Sequence, residues 1–374
     1  MRIGLLVTSI GNFGKKGFYN TQEIGIAKEL DKLFDEVIIY KAVSKSEKKN
    51  KSKIEGCKHS ILYQIPVKSR GINGIWDCSV MDSSIDALFY FSDTQLSVPK
   101  VYKWCCKNKV RMYPYIGVIE SHSTNRVKKF IINKLTKRNI QVYKKCICFA
   151  KTPMIIEQLN EYGINQTKLA PVGLDLTLLH HEYKTTSIYE LKSKYGYSAN
   201  DKVLLFIGRL IEEKQPINMI DILFEIRKKN PAYKLLMVGT GDLKKAVIEK
   251  IKEMKLEDAV QMVERVPNKD IWELYRLADV FINLNPQEIF GMAILEAMYY
   301  SCQVIAWEAP GPKFIIEDGI SGYLVKDNNE LIKKIEELSL DEKEIRKRIL
   351  EVFTWENSAK TIAKTLQIDD YTKK

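Results

Sequence analysis

Apolar residues along the 374-residue chain fall into two alternating patterns. One is a short continuous run closed by turn residues, and the other repeats apolar positions every three or four residues. The N-terminal run RIGLLVT is of the first kind and predicts a strand. A glycine-bearing turn, SIGNFGKKGFYN, follows it, and then TQEIGIAKELDKLF places Ile24, Ala27, Leu30 and Leu33 at helical spacing. Asn20 with Glu23 three residues on predicts a capping arrangement at the start of that helix. DEVIIYKAV reads as the next strand. Strand, glycine turn, helix, strand is the opening of a doubly wound α/β domain.

The runs SIDALFYFSD, RMYPYIGVIES and KKCICFAKT predict later strands of the same sheet, and the lysine-rich stretch SKSEKKNKSKIEG predicts a solvated loop. After KLAPVGLDLTLL the chain turns polar, which places a junction near residues 175 to 200. The second half then restarts the same grammar. VLLFIGRL, YKLLMVGTG, AVQMVERV, DVFINLN and QVIAW predict strands, with helical patterns between them from PINMIDILFEIRKKN onward. Two doubly wound halves leave a cleft at the carboxyl ends of their strands, where ligands bind in such sheets.

That expectation gives meaning to the stretch PQEIFGMAILEAMYYS, Pro286 to Ser301. A helix over Phe290–Tyr299 would aim its first-turn amides, from Phe290, Gly291, Met292 and Ala293, at the cleft. Unpaired amides and the helix dipole favour an anion such as a diphosphate. Glu288 would stand beside that anion, and Glu296, two turns in, could accept hydrogen bonds from vicinal hydroxyls such as those of a ribose. Two glutamates near a helix start are also consistent with a cap and a surface residue. FIGRLIEEKQP adds Arg209 after a strand and Lys214 five residues later, two cations bordering the same cleft.

GRLIEEK, VGTGD, EIFGMAILEAM and APGPKFIIEDGISGYLV, in this order, resemble the retaining glycosyltransferases of GT-B fold that carry an E-x7-E motif, family four, group 1-like. The resemblance covers most of residues 203 to 326. It implies an α/β GT-B fold with two doubly wound Rossmann-like domains facing an interdomain cleft. Residues 1–180 would be the acceptor-binding domain, 195–350 the nucleotide-sugar-binding domain, and 351–374 a helix crossing back to the first. Glu288 would bind donor-sugar hydroxyls, Glu296 the ribose, and Arg209 and Lys214 the diphosphate, with Phe290, Gly291 and Met292 contributing at the donor. His122, in GVIESHS, would lie near the transferred sugar. The resemblance also implies catalysis without a metal or other cofactor, in keeping with the lack of a D-x-D triplet. At the first turn, two glycines and an acidic residue are usual, whereas this chain has Gly17, Phe18, Tyr19 and Asn20. Gly17 could still bring its amide to a phosphate.

Charge sharpens the partner question. Residues 1 to 170 carry 29 Lys and Arg against 14 Asp and Glu, net +15, so the remainder, 30 against 33, is net −3. The basic excess is concentrated in NRVKKFIINKLTKRNIQVYKK, where lysines and arginines interleave with Phe130, Ile131, Ile132, Leu135 and Ile140. An amphipathic helix on an anionic membrane surface, spanning residues 125–145, and an ordinary domain helix both fit that composition. No zinc-finger spacing or aromatic ribonucleoprotein run accompanies the charge, so nucleic acid is not an expected partner. The expected partners are a nucleoside-diphosphate sugar, UDP favoured over GDP, and a glycan or glycolipid acceptor. The alternatives are a non-catalytic partner subunit or sugar-nucleotide sensor, and a nucleotide-sugar hydrolase or phosphorylase on the same scaffold.

No apolar run is long enough to span a bilayer, and the N-terminal one is too short for a signal peptide. The expected location is cytoplasmic, with the inner membrane face as the site of any peripheral contact. Seven cysteines without paired C-x-x-C spacing read as idle or buried thiols rather than a disulfide framework.

Overall fold

The computed structural model describes residues 1–10, 21–120 and 126–371. They form two compact units, one of Met1–Asp175 with Phe353–Lys374 and the other of Leu176–Val352. Each has its own sheet.

The first unit contains β1 (Arg2–Val7), β2 (Glu36–Ser44), β3 (Asn50–Lys53), β4 (Ser60–Val67), β5 (Ser69–Arg70) and β6 (Asn73–Gly74). It continues with β7 (Ala87–Phe91), β8 (Arg111–Ile116), β9 (Cys148–Ala150) and β10 (Thr167–Leu169). Eight of them make one sheet in the order β10-β9-β8-β7-β1-β2-β4-β3, while β5 and β6 form a separate hairpin. All pairings in the large sheet are parallel except that of β3 with β4. Parallel strands are covered on both faces, so their sequences are continuously apolar. In β7 every residue is buried.

Two expectations in this unit need correction. The lysine-rich stretch is not all loop, because Asn50–Lys53 pairs antiparallel with β4, Asn50 opposite Gln64 and Lys53 opposite Ile61. Its four side chains are exposed, so the main-chain ladder rather than burial makes it a strand, and lysines suit an edge. The first helix, Gln22–Leu30, starts after Thr21 without a side-chain cap. The Glu23 carboxylate goes instead to Lys41 Nζ of β2 at 2.5 Å. Asn20 lies outside the described residues.

The helix Trp355–Tyr371 packs within this unit through close approaches at two glycines. A Cβ on Gly25 would lie 2.2 Å from Trp355 Nε1, and one on Gly173 would lie 2.2 Å from the Trp355 nitrogen. Trp355 is 2% exposed, so its indole would have to shift within the core. Gly25→Ala is therefore expected to destabilise this unit by about 1–3 kcal/mol, read as a lower denaturation midpoint. An unchanged midpoint would show that the two helices can separate without cost.

The basic segment forms the helix Arg126–Tyr143. Thr136, Asn139, Ile140, Val142 and Tyr143 are buried, whereas Lys129, Phe130, Lys134, Lys137 and Arg138 are exposed. All seven cysteines are free, and burial pushes the thiols of Cys105, Cys148 and Cys302 well above their ordinary range. Among the described residues no helix is long and apolar enough to cross a membrane.

The second unit contains β11 (Lys202–Ile207), β12 (Tyr233–Val238), β13 (Val260–Val263), β14 (Val280–Asn283), β15 (Gln303–Trp307) and β16 (Tyr323–Val325). They form an all-parallel sheet in the order β13-β12-β11-β14-β15-β16. The chain runs outward from β11 to β13, then returns to the other side of β11 with β14. The carboxyl ends of β11 and β14 are thus the topological switch point, where ligands bind in open α/β sheets.

Candidate active site at the switch point of the second unit

Both cations and both glutamates singled out in the sequence lie on segments following β11 and β14. After β11 the chain passes Gly208 and Arg209, makes a short turn of 3-10 helix over Glu212–Lys214, and enters the helix Pro216–Arg227. Arg209 is exposed, and its guanidinium makes no hydrogen bond or ion pair among the described residues. Its loop is held from the backbone. Gly208 N–H donates to the Val238 carbonyl and Leu210 N–H to that of Thr240, both at 3.0 Å, while Leu243 N–H returns to Leu210 at 2.9 Å. The β12 turn can come this close because it carries Gly239 and Gly241. A Cβ there would lie 1.8 Å from the Gly208 carbonyl oxygen and 2.5 Å from that of Leu210, respectively.

After β14 the chain carries Asn283, Asn285 and Glu288. Glu288 Oε2 accepts from Lys214 Nζ at 2.5 Å, Asn283 Nδ2 at 3.3 Å and Asn285 Nδ2 at 3.4 Å. Both asparagines are buried, at 8% and 7% exposed, so the carboxylate sits on a fixed platform. Its other oxygen has no partner among the described residues and remains available as an acceptor. Lys214, read from the sequence as a phosphate ligand, spends its charge here on Glu288. Arg209 is the uncommitted cation of the pair.

The following helix is shorter than expected. It spans Met292–Tyr299, and Gly291 precedes it at φ 105°, a left-handed conformation that favours glycine and breaks the helix before Phe290. Phe290 therefore lies in the turn, and its amide is not part of the first helical turn. The amides of Met292 and Ala293 do open the helix and have no carbonyl within it to bond. A neighbouring turn braces Phe290: Gly311 N–H donates to the Glu288 carbonyl at 2.8 Å, and a Cβ on Gly311 would lie 2.2 Å from the Phe290 carbonyl oxygen.

Glu296 is 8% exposed, and its Oε2 accepts the Tyr275 hydroxyl at 3.0 Å. Tyr275 belongs to the helix Ile271–Leu277 and stacks on Tyr300 with ring centroids 6.0 Å apart. His122 and Gly17 lie outside the described residues. Among the described residues no group of three or more His, Cys, Asp or Glu could hold a metal ion. Sequence reasoning missed Asn283, Asn285 and Tyr275. The two asparagines left a signal: in NLN they are two residues apart, and on an extended chain that spacing puts both side chains on one face.

Residues 187–351 match the family model described as Glycosyl transferases group 1. The second unit belongs to that family. One relative, the amylovoran biosynthesis glycosyltransferase AmsD of Erwinia amylovora, is 30% identical over 187 residues, 50% of each chain. Another, the alpha-monoglucosyldiacylglycerol synthase of Acholeplasma laidlawii, is 25% identical over 168 residues, 45% of this chain and 42% of that protein. The chain thus spans about half the length of the curated relatives it matches. Anabaena HepE, solved in complex with UDP and glucose, superposes with a TM-score of 0.70 at 17% identity, over 98% of this chain and 100% of that one. The fold of the whole chain is GT-B.

Proposed function

We propose that the protein transfers a sugar, with retention and without a metal, from a UDP-sugar to a hydroxyl of a lipid-linked or cell-surface glycan. The observation that carries this reading is the Glu288 carboxylate fixed between Lys214, Asn283 and Asn285 at the switch point of a group 1 glycosyl transferase unit. UDP is supported by HepE, whose structure contains it. A lipid or polysaccharide acceptor is supported by relatives named for a glucosyldiacylglycerol and for amylovoran.

In this reading the donor diphosphate draws Lys214 from Glu288 and takes up Arg209 together with the amides of Met292 and Ala293. Four fixed donors then meet the charge that develops on the leaving phosphate, the role a magnesium ion plays elsewhere. Glu288 accepts hydroxyls of the transferred sugar, Glu296 accepts the ribose hydroxyls, and His122 stands near the sugar. The acceptor oxygen attacks the anomeric carbon on the face that the phosphate leaves. The anomeric C–O bond breaks with its electron pair passing to the phosphate oxygen, and that oxygen takes the acceptor proton. The products are the glycoside and UDP.

The exposed basic face of Arg126–Tyr143 would hold the protein at an anionic membrane on its cytoplasmic side. Glu296→Gln is expected to weaken UDP binding roughly ten-fold while turnover at saturating donor changes little, because the diol loses a charged acceptor. Tyr275→Phe should move the same quantity less. Titration of both variants by calorimetry checks this, and unchanged affinity in Glu296→Gln would remove the ribose role.

A thermal-shift panel with UDP, GDP, ADP and CMP, run in EDTA and again with magnesium, tests the central proposal. A ligand at a hundred times its dissociation constant stabilises by roughly 2.7 kcal/mol, a shift of a few degrees. A shift with UDP that disappears in Arg209→Ala supports the donor site. No shift with any nucleotide would favour the non-catalytic partner subunit, and a shift that needs a divalent ion would overturn metal independence.

A further inference from the structure

We propose that the β5–β6 hairpin of the first unit is a second membrane contact, an apolar wedge that enters the interface of an anionic bilayer beside the basic helix. The inference rests on the membrane reading of Arg126–Tyr143 given above. It starts from exposure: Ile72 is 56% and Ile75 52% exposed, and Phe130 on the basic helix is 69% exposed. Isolated apolar side chains on a surface are ordinary. These three differ in their charged surroundings and in how firmly two of them are held.

Lys68 and Arg70 are exposed on the hairpin itself. The sequence contains no Asp or Glu from Gly56 to Trp76, and none from Ser121 to Ile156. Asp77, exposed two residues after Ile75, is the nearest acidic residue to the hairpin in sequence. Isoleucine and phenylalanine set mainly among lysines and arginines match the interfacial zone of an anionic bilayer, where apolar tips meet acyl chains and cations meet headgroups.

The hairpin is not a loose loop. Ile75 N–H donates to the Lys68 carbonyl at 2.7 Å and closes its base. Ile10 N–H donates to Ile72 at 2.8 Å and Gly74 N–H to Thr8 at 2.9 Å, so it is fastened to the chain just beyond β1. A Cβ on Gly74 would lie 2.5 Å from the Thr8 carbonyl oxygen, so only glycine permits this approach. The segment after β7 ties hairpin and helix to one end of the sheet. Leu96 N–H donates to Asn73 Oδ1 at 3.0 Å, and Asn139 Nδ2 of the basic helix donates to the carbonyl of the adjacent Gln95 at 2.9 Å. A rigid mount presents Ile72 and Ile75 to a surface with little ordering left to lose on contact.

Co-sedimentation of the full chain with vesicles of phosphatidylcholine, with and without phosphatidylglycerol, tests this at low and high salt. Wild type should prefer the anionic vesicles. Ile72→Ser with Ile75→Ser should lower partitioning about ten-fold, with a loss that persists at high salt because it is apolar. Arg70→Glu should lower it several-fold at low salt only. Both variants should keep the wild-type UDP response, which reports an intact fold. Wild-type binding unchanged in the double variant would overturn the hairpin contact and leave the helix reading standing. Failure of wild type to bind anionic vesicles would overturn both.

Discussion

Glu288→Gln is expected to lower turnover by roughly 10²–10³-fold while UDP affinity stays within about three-fold of wild type. The change is nearly isosteric, so the cause is hydrogen-bond polarity. Three donors, from Lys214, Asn283 and Asn285, converge on Oε2, and an amide must turn its carbonyl oxygen toward them. Its NH₂ group then occupies the place of Oε1 and presents a donor where the carboxylate presented an acceptor. A sugar hydroxyl that donated there loses its partner, and the positive charge growing on the sugar ring loses a nearby anion. The diphosphate loses nothing, and Lys214 is released to it. Steady-state kinetics with UDP titration of the same preparation separates the two effects. Small and equal changes in turnover and affinity would reduce Glu288 to a structural partner of Lys214. A covalent sugar trapped on wild-type Glu288 would make it the nucleophile and exclude same-face attack.

The switch-point glutamates and cations were legible because each follows a strand made of one continuous apolar run, and such runs mark the inside of a parallel sheet. VLLFIGR and VFINLNPQE announce where β11 and β14 end, and so which polar residues stand at their carboxyl ends. The antiparallel strand Asn50–Lys53 and the hairpin at Ser69–Gly74 were not legible, since main-chain hydrogen bonds build them and the exposed side chains of Asn50–Lys53 and Ser69–Arg70 carry no period. The same limit hid the partners of the glutamates. Tyr275 reaches Glu296 from a different helix, and no spacing along the chain encodes a pairing between helices. Helix length was misjudged for a related reason: EIFGMAILEAM has no polar side chain from Ile289 to Leu295, but the left-handed Gly291 starts the helix only at Met292. Glycine is the residue whose purpose the sequence hides best, because a turn and a close approach look alike in letters.

Gly239 is the clearest case, and Gly239→Ala carries the largest expected loss of stability. At φ 147° the residue lies where L side chains are strained, and the new methyl would sit 1.8 Å from the Gly208 carbonyl oxygen and 2.9 Å from its carbon. Neither backbone can step aside cheaply, because Gly208 N–H is bonded to Val238 and Leu210 N–H to Thr240 across the same gap. Strain and overpacking together should cost about 2–4 kcal/mol, which for a unit of this size lowers Tm by about 5–15 °C. The consequence extends to the donor, since any retreat of Gly208 carries Arg209 with it. Binding of UDP, measured well below the melt, should weaken about ten-fold or more. Lost stability with full UDP affinity would mean that Arg209 does not hold the diphosphate, whatever the turn does for the fold. If neither quantity changed, the two turns would have to pass each other more loosely than their hydrogen bonds require, and the packing of Gly239 against Gly208 would no longer explain where Arg209 stands.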